Sequence, residues 1–130
     1  MKHSIIIITE EKIFPHLFIN LLHLKMNDVH IEICDSFDEI DHKLVTLNCE
    51  FILLDGGFNK LSCMETIRHL RYVSETDVPI WFFSEVQREE YNNRILASGA
   101  SRIIKKPFDP YLICSEIKTL LVRENKADDD

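Results

Sequence analysis

Five short apolar runs recur along the chain, Ile5–Ile8, Val29–Cys34, Phe51–Leu54, Val78–Phe83 and Arg102–Ile104, and their starts lie roughly 22–27 residues apart. Each is about as long as a strand, and four are rich in Ile, Val or Phe. Continuous apolarity suits strands buried on both faces, as in a parallel sheet. In the second run Val29, Ile31 and Ile33 alternate with His30 and Glu32, which predicts a wetter face and a place near a sheet edge.

Between the runs the period becomes helical. Phe14, Leu17, Phe18, Leu21 and Leu22 follow the i, i+3, i+4 rule, with Pro15 early enough for a helix to tolerate it. Ser36 with Glu39 reads as a capping box ahead of Phe37, Ile40, Leu44 and Val45 on one face, and Ser62 with Glu65 repeats it ahead of Met64, Ile67 and Leu70. The stretch from Gln87 to Ala97 is mostly polar, a weakly buried helix that Gly99 would stop. Asp109 reads as an N-cap with Pro110 at the first helical position, and Ile113, Ile117, Leu120 and Leu121 supply the inner face. Strand then helix, five times over, predicts an α/β fold: a doubly wound parallel sheet with right-handed crossovers and helices on both faces. One domain over residues 1–122 and a short acidic tail over 123–130, expected to fray, account for the length.

Charge excludes some partners. Fifteen basic against 22 acidic residues leave a net charge of −7, which argues against a nucleic-acid surface and against an anionic membrane surface. No apolar stretch approaches the roughly 20 residues of a membrane span. The Ile5–Ile8 run passes directly into Thr9-Glu10-Glu11, unlike a secretory signal. A cytoplasmic protein is expected. The four cysteines form no C-x-x-C pair, so buried thiols are expected rather than disulfides or zinc, and the six histidines show no ligand spacing.

The residues just past the runs are more informative. Thr9, Glu10 and Glu11 come after the first, Asp55 after the third, Ser84 after the fourth, and Lys105 and Lys106 after the fifth. Open parallel sheets bind ligands at the carboxyl ends of their strands, near the switch in strand order. Neighbouring strands 1, 3, 4 and 5 would bring acids, a hydroxyl and an amine to one rim. Clustered carboxylates invite a hard cation such as Mg²⁺, one of them can act as a nucleophile toward phosphorus, and a lysine and a hydroxyl can hold phosphoryl oxygens. A flavin or nucleotide binder is disfavoured: Thr9-Glu10-Glu11-Lys12 is acidic and lacks glycine, and there is no G-x-G-x-x-G or P-loop.

Residues 1–122 resemble the receiver domain of bacterial two-component response regulators. The resemblance is carried by Ile5–Ile8 before Thr9-Glu10, by Phe51-Ile52-Leu53-Leu54-Asp55, by Glu65, by Pro79-Ile80-Trp81-Phe82-Phe83-Ser84, and by Ser98-Gly99-Ala100 ahead of Ile103-Ile104-Lys105-Lys106-Pro107-Phe108. It implies a (βα)5 fold with strand order 2-1-3-4-5. It also implies a phosphoryl group accepted on Asp55 from a histidine kinase or phosphotransfer protein, with no enzymatic activity beyond that acceptance and autodephosphorylation. Mg²⁺ would be held by Glu10, Asp55 and the backbone carbonyl of Gly57. Ser84 would bond the phosphoryl group, and Lys106, aimed inward by a cis Lys106-Pro107 bond, would pair with Asp55 or its phosphate. Output is expected through protein contact, with a downstream target or a second copy, on the helix 4–strand 5–helix 5 face. The sequence departs from the family pattern at Thr9 in the acidic pair, at the longer Glu10 (with Glu11 as a substitute, though better placed to start the first helix), at Glu85 after the hydroxyl, and at Ile103 in place of the switch aromatic. The loop Gly56-Gly57-Phe58-Asn59-Lys60 lacks the family's proline, and its glycines are expected to loosen it. Two readings stand: a stand-alone phospho-receiver, or a degenerate receiver that docks or dimerises without phosphorylation.

Overall fold

The structure, a computed structural model, describes residues 2–57, 62–86 and 88–129, with side chains as far as Arg123. The elements are β1 (His3–Ile8), α1 (Ile13–Lys25), β2 (Val29–Cys34), α2 (Phe37–Thr46), β3 (Cys49–Asp55), α3 (Cys63–Arg68), a π-helical turn (His69–Val73), β4 (Ile80–Ser84), α4 (Glu89–Ser98), β5 (Arg102–Lys105) and α5 (Pro110–Asp129). All strand pairs are parallel, and the sheet order is β2-β1-β3-β4-β5. β2 is an edge strand, as its alternation predicts, and Ile33 is partly exposed there.

The two-residue period of the central strands divides the core. Ile5, Ile7, Phe51, Leu53, Trp81 and Phe83 point to one face and pack with α1 and α5 residues such as Phe14, Phe18, Leu22, Ile113, Ile117 and Leu121. Ile6, Ile8, Ile52, Leu54, Ile80 and Phe82 point to the other and meet Ile40, Ile67, Leu70 and Ile95. Both faces are thus covered, which is why these runs are apolar at every position.

Helix boundaries follow the caps. Ser36 Oγ accepts from the Glu39 amide at 3.2 Å, Ser62 Oγ from the Glu65 amide at 3.4 Å, and Asp109 Oδ1 from the Tyr111 amide at 3.0 Å. Two inner-face assignments do not hold. Val45 is 87% exposed, although Leu44 beside it packs against the core and α2 lies over β1 and the edge strand β2. Leu17 is 40% exposed and lines a surface cavity instead of the core. α5 continues as helix to Asp129, past the point where the tail is expected to fray, and the side chains of 124–130 lie outside the described residues. All four cysteines are free thiols, and among the described residues no helix is long and apolar enough to cross a membrane.

Arg71, in the π-helical turn, fastens the far ends of β4 and α4. Its guanidinium donates to the carbonyls of Gly99 (3.0 Å), Thr76 (3.0 Å) and Val78 (2.8 Å). Gly99 closes α4 at φ +126°, and a Cβ there would lie 2.7 Å from Arg71 Cγ. Gly99→Ala combines a left-handed backbone with that clash, so it is expected to cost at least about 1 kcal/mol, read as a lower urea midpoint at unchanged slope. An unchanged midpoint would contradict this.

Candidate functional site

The carboxyl ends of β1, β3, β4 and β5 meet on one rim, and Asp55 is its fixed point. As the last residue of β3, it pairs in register with Phe83 of β4. Its side chain is fully buried, yet it is a carboxylate, so it must be satisfied from within. Oδ1 accepts from Lys106 Nζ at 2.7 Å and from the Gly57 amide at 3.0 Å, and Oδ2 accepts from Thr9 Oγ1 at 2.8 Å. Thr9 is itself held, because its oxygen accepts from the Glu11 amide at 3.0 Å.

Lys106 reaches Asp55 from the turn after β5, where the Lys106–Pro107 bond is cis. Its amide donates to the Ser84 carbonyl at 2.9 Å, tying the β4 and β5 ends together. The ammonium is shared: Glu85 Oε1 lies 3.1 Å away, on a side chain that is 55% exposed. Partial burial pulls the Lys106 pKa down. Hydrogen bonds and attraction to Asp55, then to Glu85, outweigh that and hold it above the ordinary lysine value.

The two glycines after Asp55 act differently from the loosening their composition suggests. The Gly56 amide donates to the Phe83 carbonyl at 2.8 Å, and a Cβ at Gly56 would lie 2.3 Å from that oxygen. Gly56 is a close backbone approach, which tightens this corner. A Cβ at Gly57 would lie 2.8 Å from Glu85 Oε1 and 3.5 Å from Asp55 Oδ1, so the bare glycine leaves room for Glu85 to lean over Asp55. Residues 58–61 of that loop lie outside the described residues.

Asp55, Lys106 and Glu85 line a cavity of about 600 Å³ with Glu11, Phe14, Leu17 and Phe108. Glu10 lines a neighbouring one of about 370 Å³ with Glu11, Asp35 and Glu39, between β1 and β2. Glu11 thus borders both. Ser84 is fully buried, and its hydroxyl is bonded to Asn92 and to the Val86 backbone. Thr9's bond to Asp55 and Asn92's to Ser84 have no sequence signal: a threonine after a strand and an asparagine in a polar helix are ordinary in themselves.

For Mg²⁺ the relevant chemistry is the oxygen inventory. Among the described residues Thr9 is the one hydrogen-bond partner of Asp55 Oδ2, so a lone pair remains there for a hard cation. Among the same residues no group of three or more His, Cys, Asp or Glu side chains could hold a metal by itself. A cation here would therefore draw on backbone carbonyl or water oxygens as well, which Mg²⁺ accepts.

The family profile described as the response regulator receiver domain matches residues 5–118. This chain belongs to the response regulator receiver domain family. Solved receivers share its fold. A two-component response regulator from Clostridium difficile superposes with TM-score 0.80 at 20% identity, covering 95% of this chain and 99% of that one. A signal receiver domain from Bermanella marisrubri gives 0.75 at 22% identity, covering 93% and 99%. A chemotaxis response regulator of Vibrio cholerae gives 0.75 at 15% identity, covering 92% and 98%. No curated protein matches the chain in sequence. The receiver fold explains why the strand-end residues converge: the sheet order places β1 and β4 on either side of β3, with Asp55 between them.

Proposed function

We propose that this receiver accepts one phosphoryl group on Asp55 in a two-component phosphorelay and passes the signal on by protein contact. The observation that carries the reading is the Asp55 carboxylate, fully buried and oriented by three donors on the wall of an open cavity. In the reaction a carboxylate oxygen of Asp55 forms a bond to phosphorus as the bond from phosphorus to the donor's leaving group breaks, and the leaving group keeps that electron pair. With a histidine kinase or phosphotransfer protein as donor, the bond broken is the P–N bond of a phosphohistidine. Lys106 supplies the positive charge that meets the transferred oxygens. Asp55, Glu10 and the Gly57 carbonyl would hold Mg²⁺, which would supply further neutralisation of the transferred oxygens. Ile13, 75% exposed beside Phe14 and Leu17, gives the cavity an apolar lip on which a donor protein can seat. Output would use the α4–β5–α5 face, toward a target protein or a second copy.

The test is the intact mass after incubation with a small phosphodonor such as acetyl phosphate. With Mg²⁺ the mass is expected to rise by one phosphoryl group, and with the metal chelated it is not. No rise under either condition would overturn the reading.

Glu85 favours a second reading, a docking module that works without phosphorylation, because its carboxylate already occupies Lys106. The same contact gives a quantitative prediction. A charge about 5 Å from a phosphoryl group costs roughly 1–3 kcal/mol at effective dielectric constants of about 80–20, and half-exposure places Glu85 toward the lower end. Glu85→Gln keeps the size and removes the charge, so phosphoryl uptake from an anionic donor is expected to quicken about tenfold. An unchanged or slower rate would contradict this and favour the docking module.

A further inference from the structure

Ile103 of β5 is aliphatic, so its side chain offers the Ser84 hydroxyl no polar atom. The Ser84 hydroxyl is engaged elsewhere. Its oxygen lies 2.8 Å from Asn92 Oδ1 and 3.0 Å from the Val86 carbonyl, and it accepts from the Val86 amide at 3.2 Å. Asn92 Nδ2 donates to the Val86 carbonyl at 3.3 Å. Ser84 has no exposure and Asn92 only 5%, in a helix that opens on the exposed acids Glu89 and Glu90.

We propose that Asn92 is the positioning residue that couples the phosphorylation site to α4 in this protein. The inference rests on the reading of Asp55 as phosphoryl acceptor. Ser84 is the last residue of β4, one past Phe83, the register partner of Asp55, and its hydroxyl has one proton to give. Turned toward Asn92, that proton holds α4 against the end of β4. Turned toward a phosphoryl oxygen, it leaves the Asn92 carboxamide oxygen buried without its donor. A buried polar atom that loses its partner is costly, so Asn92 must find another and the first turn of α4 must move with it. The bond breaks in one state and forms in the other, which is what a two-state element requires.

The test is hydrogen exchange along α4 in the unmodified and phosphorylated protein, with intact mass measured on the same samples. In the wild type, phosphorylation is expected to speed exchange several-fold at α4 amides from Tyr91 onward. In Asn92→Ala the mass gain is expected to persist, and α4 exchange is expected to be the same with and without the phosphoryl group. Asn92→Leu removes the carboxamide while keeping the buried volume and serves if Asn92→Ala does not fold. A wild-type mass gain with α4 unchanged overturns the coupling alone, as does an Asn92→Ala protein that keeps the wild-type difference. No mass gain in the wild type overturns the coupling together with the reading beneath it.

Discussion

Asp55→Asn is expected to abolish phosphoryl uptake while leaving the fold in place. The neutral amide oxygen of asparagine is a far weaker nucleophile than a carboxylate, and its nitrogen lone pair is delocalised, so neither atom attacks phosphorus effectively. The surrounding hydrogen bonds can survive the exchange. An asparagine oxygen in the place of Oδ1 still accepts from Gly57 and Lys106. Its amide group in the place of Oδ2 can donate to Thr9, whose hydroxyl oxygen can take a second donor beside the Glu11 amide once its own proton rotates away. Intact mass and a thermal melt on the same preparation check both halves. Uptake at the wild-type rate in the variant would remove Asp55 from the chemistry.

The second large effect lies beneath the site. Phe18 of α1 has no exposed surface, and its ring lies 5.2 Å from Phe14, 5.2 Å from Phe83 and 5.9 Å from Phe108. These rings join α1 to β4 and to the turn that carries Lys106, whose ammonium lies 5.0 Å from the Phe14 ring. Phe18→Ala removes one aromatic volume from between three others that cannot all close in. The expected loss is about 3–5 kcal/mol, a large share of the roughly 5–15 kcal/mol that holds a domain of this size together. Denaturant unfolding should show it as a lower midpoint at constant slope. A loss below about 1 kcal/mol would mean that the cluster collapses around the gap and does not support the Lys106 turn.

Much of this architecture is legible in the residues because two strong signals agree. Ile5–Ile8 and Phe51–Leu54 are buried on both faces, and only a covered parallel sheet asks that of a short strand. Asp55 and Lys106 stand at strand ends, and strand ends of one parallel sheet share a rim. What the sequence hides depends on which way a side chain turns. Thr9 reads as a missing acid, whereas it holds Asp55 by a hydrogen bond. Gly56 reads as slack, whereas it packs against the Phe83 carbonyl. Helical periodicity assigns Leu17 and Val45 to an inner face, but period alone does not reveal how far the sheet extends beneath each helix. Asn92 sits in a polar stretch, and only the approach of β4 to α4 brings it to Ser84.

Chemical trapping asks most directly whether Asp55 is the phosphoryl acceptor. Borohydride reduces an aspartyl phosphate to homoserine, and peptide mass spectrometry then reads the position. After treatment with phosphodonor and Mg²⁺, homoserine is expected at residue 55 and at no other acidic position. Trapping at Glu10, Glu11 or Glu85, or no trapping in a protein whose mass has risen, would contradict Asp55 as the acceptor.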